Sequence, residues 1–321
     1  MGKLPARARR AALGVLLLAL LAVPFATSGY ILRLLTLLFT FAVMAEAWNL
    51  IGGFAGYVDF GSVVFFGLGG YTTGLLMTKL KLPFVAGWLA GAALCTVFAI
   101  LMGLLLLRLR GHYFGIATLG TSFAVREIIA NWPSVTGGGT GISLPIYDFP
   151  NSVFYFIMLG LLIAIVGLTW WLSRNRLGFG LVAIRENEQA AEVLGVNALR
   201  YKVTAYALSG FFIGMTGGAY AYWITFIDPT TIFDVGITVE VIIMAVLGGA
   251  GSVAGPLIGA AILTVISEIL NAYVPNAHLT VLGAIIVLVV LLIPNGVIEY
   301  LTFKRKLSLK SIGATLAQTR V

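Results

Sequence analysis

The densest chemistry in this sequence is the run Arg185-Glu186-Asn187-Glu188-Gln189-Ala190-Ala191-Glu192, set between two long apolar stretches and closed by Gly195. An ionised side chain in hydrocarbon costs roughly 2.5–3.5 kcal/mol on insertion scales. The run therefore belongs in water at one membrane face, where a soluble partner can grip it. Acidic residues early in it and a glycine after it predict a short capped helix. Two adjacent alanines offer a smooth face that fits a groove, and the glycine lets the chain turn sharply. The plain alternative is a solvated connection between two membrane helices.

Other groups could also do chemistry. Glu46, Arg126, Glu127, Glu240 and Glu268 fall in or near apolar spans, where ionisable residues face the interior, pair and function. Arg126 and Glu127 are adjacent and do not share a helix face, so each should need its own partner. Asn49, Ser62, Thr118 and Ser252 could line a polar path, although hydroxyls also hold helices together. Asp59-Phe60-Gly61 echoes a kinase metal motif but has none of its sequence context. Gly137-Gly138-Gly139-Thr140-Gly141 lacks the Gly-Lys-Ser/Thr of a phosphate loop and reads as a flexible connection. One cysteine, Cys95, and two histidines, His112 and His278, leave no metal-ligand set. No nucleophile–base pair stands out either, which argues against an enzyme.

The elements that must position these groups follow from composition. Hydrophobic residues are 60% of the chain and charged ones only 10%, against about 25% charged in a soluble domain. This predicts an all-α integral membrane protein, a single polytopic domain over residues 1–321. Apolar runs at Ala11–Ala26, Ile31–Ile51, Ser62–Met77, Phe84–Leu107, Tyr113–Ala130, Val153–Leu172, Val203–Ile227, Ile237–Leu247, Leu257–Leu270 and Leu279–Ile293 give about ten crossings. A re-entrant turn at Leu247–Gly259 would reduce that to eight or nine. The first run resembles a signal peptide, but further spans follow it at once. Between the spans lie a breaker-rich loop at residues 131–152, the charged loop at 178–202 and a basic tail at 304–321.

A net charge of +8 would suggest nucleic acid in a soluble protein; here it flanks apolar segments, so the partner implied is the membrane itself. With ten crossings, sixteen of the twenty Lys and Arg fall on the side of the termini, three on the other and one, Arg126, in a span. That bias places both termini and the charged loop in the cytoplasm.

Two further positions break the pattern. Gly52-Gly53 and Gly248-Gly249 each end an apolar run and precede a small-residue stretch. Interrupted hydrophobic segments at matching places in two halves point to a substrate path in transporters. The alternative is that the glycines only let helices pack closely.

Several blocks in order carry a family resemblance: WNLIGGFAGYVDFGSVVFFGLGGYTTGLL, LRGHYFGIATLGTSFAVREI, TGGGTGISLP, GFGLVAIRENEQAAEVLGVNALRYKVTAYALSGFFIGMTGGAYA and DPTTIFDVGITVEVIIMAVLGGAGSVAGPLIGAA. Gln189-Ala190-Ala191 followed by Gly195 matches the E-A-A-x-x-x-G core of the coupling loop of ABC importer permeases, with Gln in the Glu place. From Trp48 to Ala261 the chain resembles a LivM-type permease of branched-chain amino acid ABC importers. The resemblance implies a bacterial inner-membrane subunit that works with a homologous LivH-type permease, two cytoplasmic ATPases and a periplasmic binding protein. ATP and Mg would sit on those ATPases, with no cofactor in this chain. It assigns Arg185 to Glu192 and Gly195 to coupling. The residues themselves make Asn49, Gly52, Gly53, Ser62, Thr118, Glu240, Gly248, Gly249 and Ser252 candidates for the path, and the Gly137–Gly141 loop either a contact for the binding protein or a plain connection. Asp59 and the aromatic stretch ISLPIYDFP depart from the pattern and leave the substrate open among branched-chain amino acids, urea, short amides and aromatic or other small acids. The rival reading is an ion-coupled secondary transporter.

Overall fold

The computed structural model describes residues 6–27, 29–147 and 150–273, with Gly283 and residues 296–298. Helices dominate: α1 Ala6–Ala26, α2 Tyr30–Asn49, α3 Ser62–Lys79, α4 Phe84–Leu106, α5 His112–Ala130, α6 Pro133–Thr136, α7 Ser152–Leu172, α8 Arg176–Val193, α9 Ala198–Ile224, α10 Pro229–Ile232, α11 Val235–Gly248 and α12 Gly255–Tyr273. The protein is an all-α membrane protein.

Among the described residues, five segments are long and apolar enough to cross a bilayer: Tyr30–Phe54, Phe84–Leu106, Ser152–Leu172, Pro229–Gly248 and Gly255–Tyr273. That is fewer than the ten runs expected. The run Leu279–Ile293 and the tail 304–321 lie outside the described residues. The reason for the shortfall within them is compositional. α3 and α9 are rich in glycine and hydroxyls because they are surrounded by protein, and α5 carries His112, Arg126 and Glu127. α11 alone has 14 residues, or about 21 Å of helix, and reaches crossing length only together with α10.

The long α9 is the axis of the bundle and packs on α2, α3, α4, α7 and α8. Lipid tails are as apolar as leucine, so helices in a bilayer associate through close packing rather than through burial from water. The sequence meets this with small residues. A Cβ at Gly217 would run into the Phe66 carbonyl of α3, one at Gly69 into the Gly214 carbonyl, and one at Gly210 would come 2.8 Å from the Ala99 Cβ of α4. Cys95 of α4 sits against Gly214 and donates from Sγ to the Phe65 carbonyl at 3.2 Å.

The two ends of the bundle differ. At one end Lys79 donates to the Ser134 carbonyl at 2.6 Å, and a short antiparallel ribbon joins β1 (Ile142–Ser143) to β2 (Phe226–Ile227). At the other end lie residues 55–61, the turn after α4, and α8. The Gly137–Gly141 stretch expected to be a flexible connection is an ordered turn, with a 3₁₀ turn at Gly138–Thr140. Gly137, Gly138 and Gly141 take positive φ of 77°, 60° and 75°, where other residues are strained. Gly138 is buried, Gly137 and Gly141 are half-buried, and Gly139 and Thr140 are exposed.

These contacts make a paired prediction. Gly217→Val should destabilise the detergent-solubilised protein by at least about 2 kcal/mol, because a side chain there meets backbone. Gly167→Ala on α7, with nothing within 4 Å, should be neutral or stabilising by up to about 1 kcal/mol. Thermal unfolding of the two variants checks both; equal melting temperatures would contradict the packing account.

Candidate functional site

The charged run is part of α8, which starts at Arg176 because the Asn175 side chain caps it. Its Oδ1 accepts from the Leu177 and Gly178 amides at 2.9 and 3.1 Å. The single short helix expected here is two pieces. Asn187 leaves the helical region (φ −161°, ψ 105°), and its Oδ1 caps the second piece by accepting from the Ala190 amide at 3.0 Å. Asparagine does this readily because its side chain competes with the backbone for hydrogen bonds. The end is as expected: Gly195 takes φ +88°, its amide donates to the Glu192 carbonyl at 2.9 Å, and the Val196 amide donates to Ala191 at 3.0 Å. Those paired bonds are the Schellman turn that glycine favours.

The break at Asn187 sorts the run into two faces. Glu186, Gln189, Ala190 and Glu192 are exposed, and beside them Val193 and Leu194 are 88% and 83% exposed. Ala191 is buried, so the adjacent alanines do not share one outward face. Arg185 and Glu188 turn toward the bundle.

Glu188 meets a lysine that the pattern did not single out. Lys202, at the start of α9, is 2% exposed, and its Nζ donates to Glu188 Oε1 at 2.8 Å, to the Tyr57 hydroxyl at 2.9 Å and to the Leu107 carbonyl at 2.9 Å. All three ammonium donors are thereby used. The Tyr57 hydroxyl in turn donates to Glu188 Oε2, and Arg110 lies 4.0 Å from Glu188. Partial burial alone would raise the Glu188 pKa. Hydrogen bonds from Lys202 and Tyr57, with the charges of Lys202 and Arg110, outweigh it and hold the carboxyl below its ordinary range. This clamp ties α8 to α9, to the end of α4 and to the link after α2. Sequence reasoning missed it because Tyr57 and Glu188 are 131 positions apart.

Arg185 reaches the first glycine pair. After α2 the chain passes through a π-helical turn, Leu50–Phe54, and stays non-helical until Ser62. The Gly53 carbonyl freed by this break accepts from Arg185 Nη1 at 3.0 Å. The second glycine pair meets the first. α11 stops at Gly248, Gly249 has φ +122°, and α12 begins at Gly255. One side-chain amide bridges the breaks: Asn49 Oδ1 accepts from the Gly251 amide at 2.7 Å, and its Nδ2 donates to the Ser252 carbonyl at 2.9 Å. Ser252 Oγ donates to the Gly249 carbonyl and accepts from the Gly255 amide. Asn49 also fills the space a Cβ at Gly53 would need, and the Trp48 ring does the same at Gly52.

The remaining expected positions are placed separately. Ser62 Oγ pairs with Thr238 Oγ1 of α11 at 3.2 Å, and Thr118 Oγ1 accepts from the Phe60 amide at 3.1 Å. Asn49, Ser62 and Thr118 are fully buried and engaged in internal bonds, so none faces an open path in this conformation. Asp59 is likewise buried, with Oδ1 accepting from the Gly61 amide at 2.8 Å. Glu240 lies farther along α11 and borders a small cavity with Glu268, whose Oε1 accepts from the Tyr30 hydroxyl at 2.9 Å. Arg126 and Glu127, expected to need separate partners, pair with each other at 3.2 Å. Both are near a helix end where side chains bend freely, which overrides the helix-face rule.

Residues 30–290 match the family described as branched-chain amino acid transport system / permease component. The chain belongs to this family. It is 30% identical to the branched-chain amino acid permease protein LivM of Escherichia coli, over 88% of this chain and 73% of that protein. It is 24% identical to LivH of the same organism, over 81% of this chain and 91% of that one. A shorter match, 30% over 48% of this chain and 46% of the relative, is to the autoinducer 2 import permease LsrC of Salmonella paratyphi B. As a permease component the chain moves solute rather than transforming it.

The clamp is open to test. Lys202→Met strands the partly buried Glu188 and the Leu107 carbonyl and should cost about 1–3 kcal/mol in thermal unfolding. Combining it with Glu188→Gln should cost less than the sum of the two changes, since both remove one network. The sign with pH follows from the lowered carboxyl. Its contribution is complete above the unfolded carboxylate value of about 4.3 and is lost as pH falls through the lower folded one. The melting gap between the protein and Glu188→Gln should therefore be flat from about pH 8 to 6 and close only in acid below that value.

Proposed function

We propose that this chain is the membrane-spanning subunit of an ATP-driven ABC importer in the bacterial inner membrane. It carries branched-chain amino acids, or similar small amino acids and amides, by alternating access. The observation that carries the reading is the two-faced α8. Its outer face offers Ala190, Val193 and Leu194 between Glu186, Gln189 and Glu192, a small apolar patch rimmed by charge that suits a groove on a soluble partner. Its inner face reaches the helix breaks through Arg185 and the body of the bundle through Glu188. A push on the outer face would then arrive at the paired breaks.

In this reading ATP and Mg bind on two cytoplasmic ATPases, and a LivH-type permease completes the membrane unit. With the run at Leu279–Ile293 counted, ten crossings put both termini and α8 in the cytoplasm. The opposite end, with Gly139 and Thr140 at its tip, faces a periplasmic binding protein. The breaks at Gly52-Gly53 and Gly248-Gly249, with Asn49 and Ser252, form the hinge beside the substrate path, and Ser62, Thr118 and Glu240 lie around it.

Two measurements test this. Ala190→Trp or Leu194→Asp should leave insertion intact but reduce substrate-stimulated ATP hydrolysis and uptake together, at least about tenfold if the groove contact is lost. Wild-type values for both would defeat the coupling assignment. Cysteine at Gly139 should react with an impermeant thiol reagent from outside the cell and cysteine at Gln189 should not; the reverse would invert the topology. Uptake driven by an ion gradient, with no ATPase present, would establish the secondary-transporter reading instead.

A further inference from the structure

The end of the bundle away from α8 holds a cavity of about 800 Å³, between the start of α2, the start of α7 and the end of α9. Its size is within the range of small-molecule pockets, roughly 300–1,000 Å³. The walls are of two kinds. Tyr147, Tyr220 and Trp223 give aromatic surface, and Leu32 and Ile224 give aliphatic surface. The remaining wall carries Arg33.

Three observations set Arg33 apart. No hydrogen bond or ion pair engages its guanidinium among the described residues. Arg126, by contrast, is engaged with Glu127, and Arg185 of α8 with Glu186 and Gly53. Finally, an acid is close by but not paired with it: the Tyr30 hydroxyl, on the cavity wall, holds Glu268 of α12 at 2.9 Å. Tyr30, Arg33, Leu37 and Phe41 recur at the spacing of one helix face, and Leu37 borders both this cavity and the small one lined by Glu240 and Glu268. A planar fork of donors, an apolar wall and an acid that reaches this cavity through its hydrogen bond from Tyr30 match the three parts of one class of solute.

We infer that this cavity captures a zwitterionic amino acid with an apolar side chain as it enters, Arg33 taking the carboxylate. Glu268, hydrogen-bonded to Tyr30 but not itself on the cavity wall, supplies negative charge on the Tyr30 side for the ammonium group, and the Tyr147–Tyr220–Trp223 wall takes the side chain. The inference rests on the importer reading above and adds to it a selectivity residue on the permease. Arg33 binds and orients; it takes no part in coupling.

The test uses the complete transporter in proteoliposomes, driven by ATP and a leucine-loaded binding protein. Arg33→Gln should lower leucine uptake about tenfold, as expected from losing one charge-assisted hydrogen bond. Subunit copurification and stimulated ATP hydrolysis should stay within about twofold, and Arg33→Lys should recover part of the uptake. Wild-type uptake by Arg33→Gln overturns the assignment. Failure of the unmodified transporter to import leucine overturns the amino-acid importer reading instead.

A second measurement does not depend on turnover. Cys95 is buried, so Ile224→Cys introduces the one accessible thiol among the described residues, on the cavity wall. Millimolar leucine should slow its reaction with an impermeant maleimide severalfold, leucinamide should not, and Arg33→Gln should remove the effect. No protection by leucine, or protection that follows the anionic lipid content of the vesicles, overturns the proposal.

Discussion

A helix that breaks inside an apolar bundle frees backbone amides and carbonyls, and where water is scarce each must find a partner in the protein. That constraint governs the centre of this molecule. α2 and α11 both break at glycine pairs, and Asn49 bonds the amide of Gly251 and the carbonyl of Ser252 while Arg185 bonds the carbonyl of Gly53. Each break is satisfied from another element, so neither can move alone. A half-helix end held by side chains can exchange partners more easily than an intact i→i−4 ladder, which makes such a junction a natural hinge.

Around the paired breaks the bundle is held by contact rather than by charge. The glycines of α9 bring its backbone against α3 and α4, and bulky aromatics fill the layers between. Dispersion acts only at close range, so surfaces that touch backbone to backbone shift as units and do not deform. Lys202 near one end of α9 and Trp223 on the cavity wall near the other are joined by this one continuous helix.

Charge is concentrated where the bundle meets water. Glu188 and Lys202 are close enough, and dry enough, to make their pairing firm, and Tyr57 and the Leu107 carbonyl satisfy what the pair leaves over. A buried pair without those extra bonds would not offset its desolvation. The exposed pair Arg126–Glu127 is of the other kind, and screening leaves it worth little. The charged run thus divides into residues that hold the permease together and residues exposed on its surface.

Much of this was legible in the sequence because the physics is local. Long apolar runs point to membrane helices, glycine pairs at their ends to breaks or to close packing, and Gly195 after Glu192 and Val193 to a helix stop, since few other residues tolerate its positive φ. What the tertiary structure alone decided depends on which distant segments touch. That Gly53 lies on Gly251, that Lys202 closes on Glu188, and that Arg185 points inward while Glu186 points out are relations between residues far apart in the chain or on opposite faces of a kink. Composition cannot encode them, because the same asparagine, lysine or arginine would be read alike in a solvated loop. The glycine run at 137–141 shows the difference. Its residues looked flexible one by one, yet pairing of residues 142–143 with 226–227 turns their freedom into a fixed turn.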